Sequence, residues 1–227
     1  MQFNYYGHSC FSVEVAGSIL LFDPFITPNA LAKEIDIRTI RADYIFISHG
    51  HFDHIHDAIA IARNTGATLV AGWEIYNWFN AQGLPKTQPI NCGGKWEFEF
   101  GTVYCTIAEH SNSLPDGQYG GAACGFAVFS KSGSFYYSGD TALTQDMKLI
   151  SRYGTPEFAV LPVGDALTMG ASDAIELASW LNISTVVGVH FDTFEFIRID
   201  HEKTKKEFEK AGMVLHLLKP GETKMLQ

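Results

Sequence analysis

The chain has few cysteines, and their placement argues against one class of metal site. Only four occur among 227 residues, Cys10, Cys92, Cys105 and Cys124, and no two of them form a CxxC pair. Structural zinc sites built on cysteine use closely spaced pairs, so a site of that kind is not expected. Scattered cysteines are typical of reduced, mostly buried thiols, which favours a cytoplasmic location.

Basic residues are also scarce. Lysine and arginine number 16 against 25 aspartates and glutamates, which gives a formal net charge of −9 and a pI of about 5.4. Nucleic-acid binding depends on a basic surface that displaces counterions, so we expect no nucleic-acid partner. A small-molecule substrate is expected instead. An anionic one remains compatible with this charge, because one bound metal ion reverses the local field.

Long apolar runs and linker-like segments are absent. No stretch approaches the roughly 18 apolar residues that a membrane span requires. The opening residues MQFNYYGHSC lack the basic and apolar regions of a secretory signal. We therefore expect a cytoplasmic protein with no membrane partner. Without low-complexity or Pro- and Ser-rich segments, a single domain is expected over residues 1–227.

Both halves of the chain combine apolar strand candidates with amphipathic helix candidates. The first half has SILLFDPF, DYIFIS and ATLVAG as strands, with HDAIAIARNTG and WEIYNWFNAQG as helices. The second half has GFAVFS, SFYYSGD, FAVLPVG and TVVGVHF as strands, with SDAIELASWLN and HEKTKKEFEKAG as helices. The pattern predicts an α/β (α+β) fold in which two β-sheets pack between helical layers. Ligand sites in α/β architectures lie at the carboxyl ends of strands, where His49, His110, Asp140 and His190 fall.

One short segment concentrates groups that bind metal. ISHGHFDHIHDA, residues 47–58, contains four of the nine histidines and two aspartates, directly after an apolar strand candidate. Imidazole nitrogen and carboxylate oxygen are the usual ligands of zinc, manganese and iron. His49 and His51 are spaced to hold one ion, and Asp53 and His54 are placed for a second. A polar surface loop is the alternative interpretation of the segment.

Three later residues strengthen the metal interpretation. His110 follows an apolar strand candidate, Asp140 follows an aromatic one, and His190 ends another. Alone, His110 would be an ordinary surface histidine, and Asp140 a turn or helix-capping residue. His190 alone favours neither interpretation. Together with the segment 47–58 they become candidate ligands.

The order HGHFDH, His110, Asp140, His190 resembles the metallo-β-lactamase superfamily. Flanking segments such as YGHSCFSVE, ILLFDPF, LPVGD and VGVHFDTF extend the resemblance over essentially the whole chain, towards small metal-dependent hydrolases near L-ascorbate-6-phosphate lactonase. The resemblance implies an αββα sandwich, with two mixed sheets between helical layers and a dinuclear site between the sheets. It also implies a homo-oligomer, by analogy with the lactonases.

The same resemblance implies a role for each candidate ligand. His49, His51 and His110 would hold the first divalent ion, and Asp53, His54 and His190 the second. Asp140 would bridge the two ions, with zinc or manganese expected. A bridging hydroxide would be the nucleophile, because metal binding lowers the pKa of water towards about 7. Asp53 would take a catalytic part by orienting that hydroxide or moving its proton.

Five further residues are candidates for contacting the ligands or the substrate. His8 is expected at the rim of the pocket, with an ordinary loop histidine as the alternative. Asp23 is expected to fix a ligand imidazole through its other N–H, or else to cap a turn before Pro24. His56 is an additional ligand, a supporting donor or an exposed helix residue. Asp165 and Met169 are expected in a loop that lines the pocket, with a simple helix-entry loop as the alternative.

These observations predict a metal-dependent hydrolase of a small ester, lactone or phosphodiester. The alternative is a non-hydrolytic diiron redox or metal-binding module, although diiron members of this fold normally need a flavin domain and none is visible. A scaffold without activity is disfavoured, because clustered carboxylates and imidazoles are costly to bury without metal.

Overall fold

The computed structural model describes all residues from Met1 to Gln227. The strands are β1 (Gln2–Gly7), β2 (Cys10–Val15), β3 (Ser18–Phe22), β4 (Tyr44–Phe46), β5 (Thr68–Ala71), β6 (Thr87–Pro89), β7 (Lys95–Phe98), β8 (Gly101–Ile107), β9 (Cys124–Ser130), β10 (Gly133–Tyr137), β11 (Phe158–Pro162), β12 (Thr185–Val189), β13 (Val214–His216) and β14 (Thr223–Met225). The helices are α1 (Phe52–Ile55), α2 (Ala58–Thr65), α3 (Trp73–Ala81), α4 (Ala171–Trp180) and α5 (His201–Lys210). Short 3₁₀ segments cover Ala30–Ala32, Ile37–Thr39, Gln145–Arg152 and Glu195–Ile197.

The strands form two mixed sheets of seven strands each. The first has the order β14-β1-β2-β3-β4-β5-β6, and the second has the order β13-β12-β11-β10-β9-β8-β7. In the first sheet β3 to β6 are parallel to one another, and β14 to β3 are antiparallel. In the second sheet β10 to β13 are parallel, whereas β7 to β10 are antiparallel. Each half of the chain thus supplies most of one sheet.

Three apolar layers follow from this arrangement. The largest lies between the sheets, where Phe22 stacks on Phe11 and Phe46 with ring centroids 4.7 and 5.1 Å apart. Aromatic pairs of this kind contribute about 0.5–1.5 kcal/mol each beyond the area they bury. A second layer joins the outer face of the first sheet to α1, α2 and α3, and a third joins the second sheet to α4 and α5. The predicted αββα sandwich is therefore confirmed.

The helices begin and end where local chemistry requires. Gly66 ends α2 in the left-handed conformation, with φ +73°, and its N–H donates to Ala62. Asp200 caps α5 by accepting a hydrogen bond from the Lys203 N–H. None of the helices combines the length and the apolar character needed to cross a bilayer.

One edge of the sandwich collects the carboxyl ends of many strands. Because β1 and β3 are both antiparallel to β2, they run the same way as β4. By the same reasoning β8 runs the same way as β10, β11 and β12. Two backbone hydrogen bonds join the sheets there, from His190 N to His8 O at 3.0 Å and from Cys124 N to Ser48 O at 3.0 Å. Segments that leave these strands therefore meet at one place.

Tertiary packing decides three local features that the apolar pattern of the sequence does not. The segment after β4 forms the one-turn helix α1. Ser12 is polar yet buried, because both faces of β2 are covered. Trp96 is 47% exposed, because it lies on the edge strand β7.

Candidate metal centre

Seven imidazole and carboxylate groups converge at the shared strand edge. They are His49, His51, Asp53, His54, His110, Asp140 and His190. Each follows an apolar strand directly or lies in or beside the short helix after β4, so the strands fix its position. The fold brings together every ligand candidate predicted from the sequence, and metal binding by these residues stays a prediction.

The carboxylate of Asp140 lies at the middle of the cluster. Its Oδ2 is 2.9 Å from His190 Nε2, 3.2 Å from His54 Nε2 and 3.8 Å from His110 Nε2. Its other oxygen, Oδ1, is buried and has no hydrogen-bond partner. A buried anionic oxygen without a partner costs free energy, so this atom indicates a cation at the site.

Three imidazoles meet on one side of Asp140. His49 Nε2 is 2.9 Å from His51 Nδ1, and the His110 ring lies 5.0 and 5.2 Å from the rings of His49 and His51. Ser48 Oγ donates to Asp23 and therefore accepts from His49 Nδ1, which is 3.0 Å away. That bond leaves a lone pair on His49 Nε2, aimed at the other imidazoles.

Asp53 lies on the other side of the cluster. Its Oδ2 is 3.8 Å from His190 Nε2 and 3.9 Å from His54 Nε2, and it is hydrogen-bonded to His8 Nε2 at 3.0 Å. Its side chain is 21% exposed, whereas the Asp140 side chain is 3% exposed. Asp53 is therefore the carboxylate of the cluster that reaches the surface.

The local electrostatics set the protonation state of the three clustered imidazoles. Burial is the main cause that lowers the pKa of His49, His51 and His110. The charge of His54 lowers all three pKa values further, while the negative charge of Asp140 opposes the shift. The imidazoles are therefore neutral near pH 7, which is the form that binds metal.

The two carboxylates are held as anions. Burial alone would raise the pKa of Asp140, but the neighbouring His190 and His54 lower it well below its usual range. Burial likewise opposes ionisation of Asp53, yet His54 and His8 lower its pKa. For His54, burial lowers the pKa, but Asp140, Asp53 and Asp23 outweigh it and raise the pKa well above the usual value. The cluster thus needs positive charge among its carboxylates.

The residues present fit divalent metal ions. His54 Nε2 is buried and lacks a hydrogen-bond partner, because its contact with Asp140 at 3.2 Å is not aligned for a hydrogen bond. The donor set consists of neutral imidazole nitrogens and ionised carboxylate oxygens, which suits zinc, manganese or iron. His49, His51 and His110 lie together as one possible ligand group, and Asp53, His54 and His190 lie together with His8 as another.

Asp23 lies directly behind the cluster, at the end of β3. Its Oδ2 accepts hydrogen bonds from Ser48 Oγ at 2.5 Å, Tyr137 Oη at 2.6 Å and His54 Nδ1 at 2.9 Å. Its Oδ1 accepts from Ser48 N at 2.8 Å. Because His54 Nδ1 donates to Asp23, Nε2 is the ring nitrogen that faces Asp140. This is the contact predicted for Asp23, although its role towards a metal ligand stays a prediction.

His8 is buried beside Asp53. Its Nδ1 contacts Thr193 Oγ1 and its Nε2 contacts Asp53 Oδ2, each at 3.0 Å. Its backbone oxygen accepts from Tyr5 Oη at 2.9 Å and from His190 N at 3.0 Å. His8 therefore lies behind Asp53 and contacts its carboxylate, rather than lying at an open rim.

Three of the five further candidates make no side-chain hydrogen bond or ion pair with the cluster. His56 is exposed and packs its ring on Phe52, with centroids 4.8 Å apart. Asp165 is exposed and accepts a hydrogen bond from its neighbour, the Ala166 N–H. The prediction of a pocket-lining Met169 is corrected, because its side chain is fully buried in the layer between the second sheet and its helices.

Sequence reasoning missed the residues that hold the HGHFDH segment. Asn112 Oδ1 accepts from Gly50 N at 2.8 Å, and Asn112 Nδ2 donates to Gly120 O at 2.8 Å. A Cβ at Gly50 would lie 2.9 Å from Ser113 O, so glycine is required there. In the sequence, Asn112 is one polar residue in a polar loop, and no local signal distinguishes it.

Comparison with known proteins assigns the family. Residues 2–190 match the beta-lactamase superfamily domain. This chain belongs to that superfamily. The resemblance stated from the HGHFDH motif and the later ligand candidates is thereby confirmed.

The relatives extend over the whole chain. Proteins named UPF0173 metal-dependent hydrolase from Methylacidiphilum infernorum and Christiangramia forsetii are 49% and 45% identical, covering 100% and 98% of this chain and 100% and 99% of their own. Igni18, described as a novel metallo hydrolase from Ignicoccus hospitalis, is 34% identical with a TM-score of 0.88 and covers 98% of this chain and 97% of its own. The chain is thus a member of a family of metal-dependent hydrolases.

Proposed function

We propose that this protein is a hydrolase that binds two divalent ions, zinc or manganese, and cleaves a small ester, lactone or phosphodiester. The observation that carries the proposal is Asp140, whose Oδ2 lies between His54, His110 and His190 while its buried Oδ1 has no partner. A carboxylate that bridges two metal ions must lie between the imidazoles that hold those ions. Neutral imidazoles on one side and the ionised Asp53 on the other complete two donor groups.

The two donor groups would each hold one metal ion. His49, His51 and His110 would hold one ion. Asp53, His54 and His190 would hold the other. Bound ions of this kind lower the pKa of water towards about 7 and polarise a carbonyl or phosphoryl oxygen.

Side chains of the protein position the ligand imidazoles and orient the attacking water. Asp23 fixes the tautomer and the ring orientation of His54, and Ser48 does the same for His49. Asp53 is the accessible carboxylate, so it is placed to orient the attacking water. Its lowered pKa makes it a weak base, which suits an orienting hydrogen-bond acceptor better than a proton acceptor.

The first test is elemental analysis of protein purified without added metal or a histidine tag. About two equivalents of zinc or manganese per chain are expected. Iron with redox activity would favour the diiron redox alternative. Protein that contains no metal and gains no thermal stability from any added divalent ion would contradict the proposal.

The second test is the variant His51→Ala. His51 is half-buried, so its loss should leave the fold intact while abolishing hydrolysis of activated ester or phosphodiester probes. His216→Gln is the matched control, because His216 lies on β13 at the outer edge of the second sheet. Unchanged turnover in folded His51→Ala protein would refute the proposed site.

A further inference from the structure

Four phenylalanines form a continuous chain of ring contacts beside the candidate metal centre, exposed at both ends. Phe25 is buried at its middle, with ring centroids 5.6 Å from Phe52 and 6.5 Å from Phe194. Phe194 stacks on Phe196 at 5.6 Å. Phe52 and Phe196, at the two ends, are 55% and 59% exposed. We call these four residues the aromatic wall.

The aromatic wall is continuous with the metal centre. Phe52 stands between His51 and Asp53 in the chain, so its backbone is part of the ligand segment. The His8 ring lies 5.5 Å from both Phe25 and Phe194, and the same ring is hydrogen-bonded to Asp53. A molecule held against the wall is therefore adjacent to the accessible carboxylate of the cluster.

Asp57 fixes the loop that carries Phe25. Its Oδ2 accepts from the N–H groups of Ile26 and Thr27 at 2.6 and 2.8 Å, and its Oδ1 accepts from the Thr27 hydroxyl. The Asp57 N–H in turn donates to Pro24 O at 3.0 Å. Phe25 is thereby held in place before any ligand arrives, which reduces the entropic cost of binding.

Asp192 fixes the loop that carries Phe194 and Phe196. Its Oδ1 accepts from Ile199 N at 3.1 Å, and its N–H donates to Ile197 O at 2.9 Å. Its Oδ2 lies 2.6 Å from His201 Nε2 at the start of α5. The middle of the wall and its Phe196 end thus rest on anchored backbone, which is typical of a prepared binding surface.

The charge beside the aromatic wall offers few partners for an anionic group. The segments that carry the site candidates and the wall are 23–29, 47–57, 108–123, 138–144, 163–170 and 190–199, and together they contain nine aspartates and glutamates. Arg198 is the one lysine or arginine among them, and it is exposed and paired with Glu195 at 3.3 Å. Lys219, from the segment after β13, lines a cavity with His8 and Asp192. A phosphate or carboxylate on the non-reacting part of a substrate, away from the metal ions, would therefore find few cationic partners.

We propose that the aromatic wall binds the apolar aryl or acyl part of a neutral ester or lactone, and so defines the substrate class of the site. This inference rests on the proposed hydrolase function. In the reaction, the oxygen of water bonds to the acyl carbon, the acyl C–O bond breaks, and the former ester oxygen takes up the proton that water loses, which gives an acid and an alcohol, or a hydroxy acid from a lactone. The wall holds the apolar substituent of the ester or lactone and shields that substituent from bulk water.

The kinetic test uses two neutral lactones with the same ring, γ-butyrolactone and γ-phenyl-γ-butyrolactone, with acid release followed at constant pH. The metal-loaded enzyme should prefer the phenyl lactone in kcat/KM. Phe196→Ala should raise KM for the phenyl lactone roughly three- to tenfold, as expected for the loss of one aromatic contact. It should affect γ-butyrolactone much less, because that lactone has no phenyl group to contact the wall. Trp96→Ala is the matched control, because Trp96 is a similarly exposed aromatic on the distant edge strand β7.

A binding test separates the wall from catalysis. Binding of 2-phenylethanol is measured by saturation-transfer NMR on metal-loaded and metal-free protein. It should weaken roughly three- to tenfold in Phe52→Ala and Phe196→Ala and stay unchanged in Trp96→Ala. Equal binding in all proteins, or equal effects of Phe196→Ala on both lactones, would overturn the inference while hydrolysis stands. If no ester, lactone or phosphodiester is turned over but the binding pattern holds, the proposed function fails and the aromatic site remains.

Discussion

Replacing Asp23 by asparagine tests a residue that supports the candidate ligands without being one of them. Asp23 is fully buried and accepts four hydrogen bonds, three of them on Oδ2. Its φ is +42°, a conformation that asparagine also tolerates, so the backbone stays in place. Asparagine has one acceptor oxygen and one amide nitrogen. In the better orientation its oxygen meets Ser48 Oγ, Tyr137 Oη and His54 Nδ1, while its NH₂ faces the Ser48 N–H.

The expected loss of stability in Asp23→Asn follows from these contacts. A hydrogen bond to a charged group contributes about 1.5–3 kcal/mol and a neutral one about 0.5–1.5, so three retained bonds lose about 1 kcal/mol each. Leaving the buried Ser48 N–H without an acceptor costs about 1–3 kcal/mol more. Because neighbouring contacts are not additive, we expect Asp23→Asn to lower the free energy of unfolding by about 3–5 kcal/mol. Metal affinity should fall about 10- to 100-fold, because the His54 ring is no longer held by an anion.

The assay combines urea denaturation with competition against a chromophoric chelator. Tyr137→Phe is the matched comparison, because it removes one hydrogen bond to Asp23 and leaves the bond to His54 in place. We expect Tyr137→Phe to lose about 1–2 kcal/mol of stability with little change in metal affinity. Folded Asp23→Asn protein with wild-type metal affinity would refute the assignment of Asp23 as the group that orients His54.

Two further predictions concern His8 and Gly139. Burial lowers the pKa of His8 from 6.5 to about 4, so the folded protein binds fewer protons than the unfolded chain, and stability is lost as pH falls between these values. The loss amounts to roughly 3 kcal/mol, and His8→Asn in metal-free protein should flatten that part of the stability–pH curve; superimposable curves would contradict it. A Cβ at Gly139, where φ is +63°, would lie 2.5 Å from Cys124 O and 3.0 Å from Ser48 Cβ. Gly139→Ala should therefore displace Asp140, cost about 2–5 kcal/mol and reduce bound metal measured by elemental analysis, and unchanged metal content would show that the loop adapts.

The ligand candidates were predictable because each is marked by its strand. DYIFIS, TVYCTIA and TVVGVHF are apolar runs that stop at or just before His49, His110 and His190, and a buried strand must deliver its next residue to the edge of the sheet. The segment HGHFDH then supplies His51, Asp53 and His54, and SFYYSGD supplies Asp140. Strand direction predicted that these positions meet at one edge, and the HGHFDH motif with the superfamily resemblance predicted that they are ligands.

The supporting contacts were not predictable in the same way. Asn112 reaches Gly50 and Asp57 reaches Thr27 across stretches of chain that carry no periodic signal. Met169 shows the opposite failure, since its loop lies near Asp140 but its side chain turns into the apolar layer behind the second sheet. Only its N–H reaches the edge, donating to Thr141 O at 2.8 Å. Which way a loop side chain points depends on packing partners distant in sequence.

The backbone of the site explains how the groups are held in the absence of regular structure. His8, Asp23 and His190 all adopt positive φ, between +42° and +55°, which costs an ordinary residue about 1–2 kcal/mol. Each is retained by several bonds: the His8 oxygen accepts from Tyr5 and His190, and Asp23 N donates to Phe46 O. Such turns redirect a side chain at a strand end towards the common centre without adding a residue. These hydrogen bonds involve no ligand atom that faces the cluster. Removing the metal should therefore increase the repulsion between the Asp53 and Asp140 carboxylates while the turns persist.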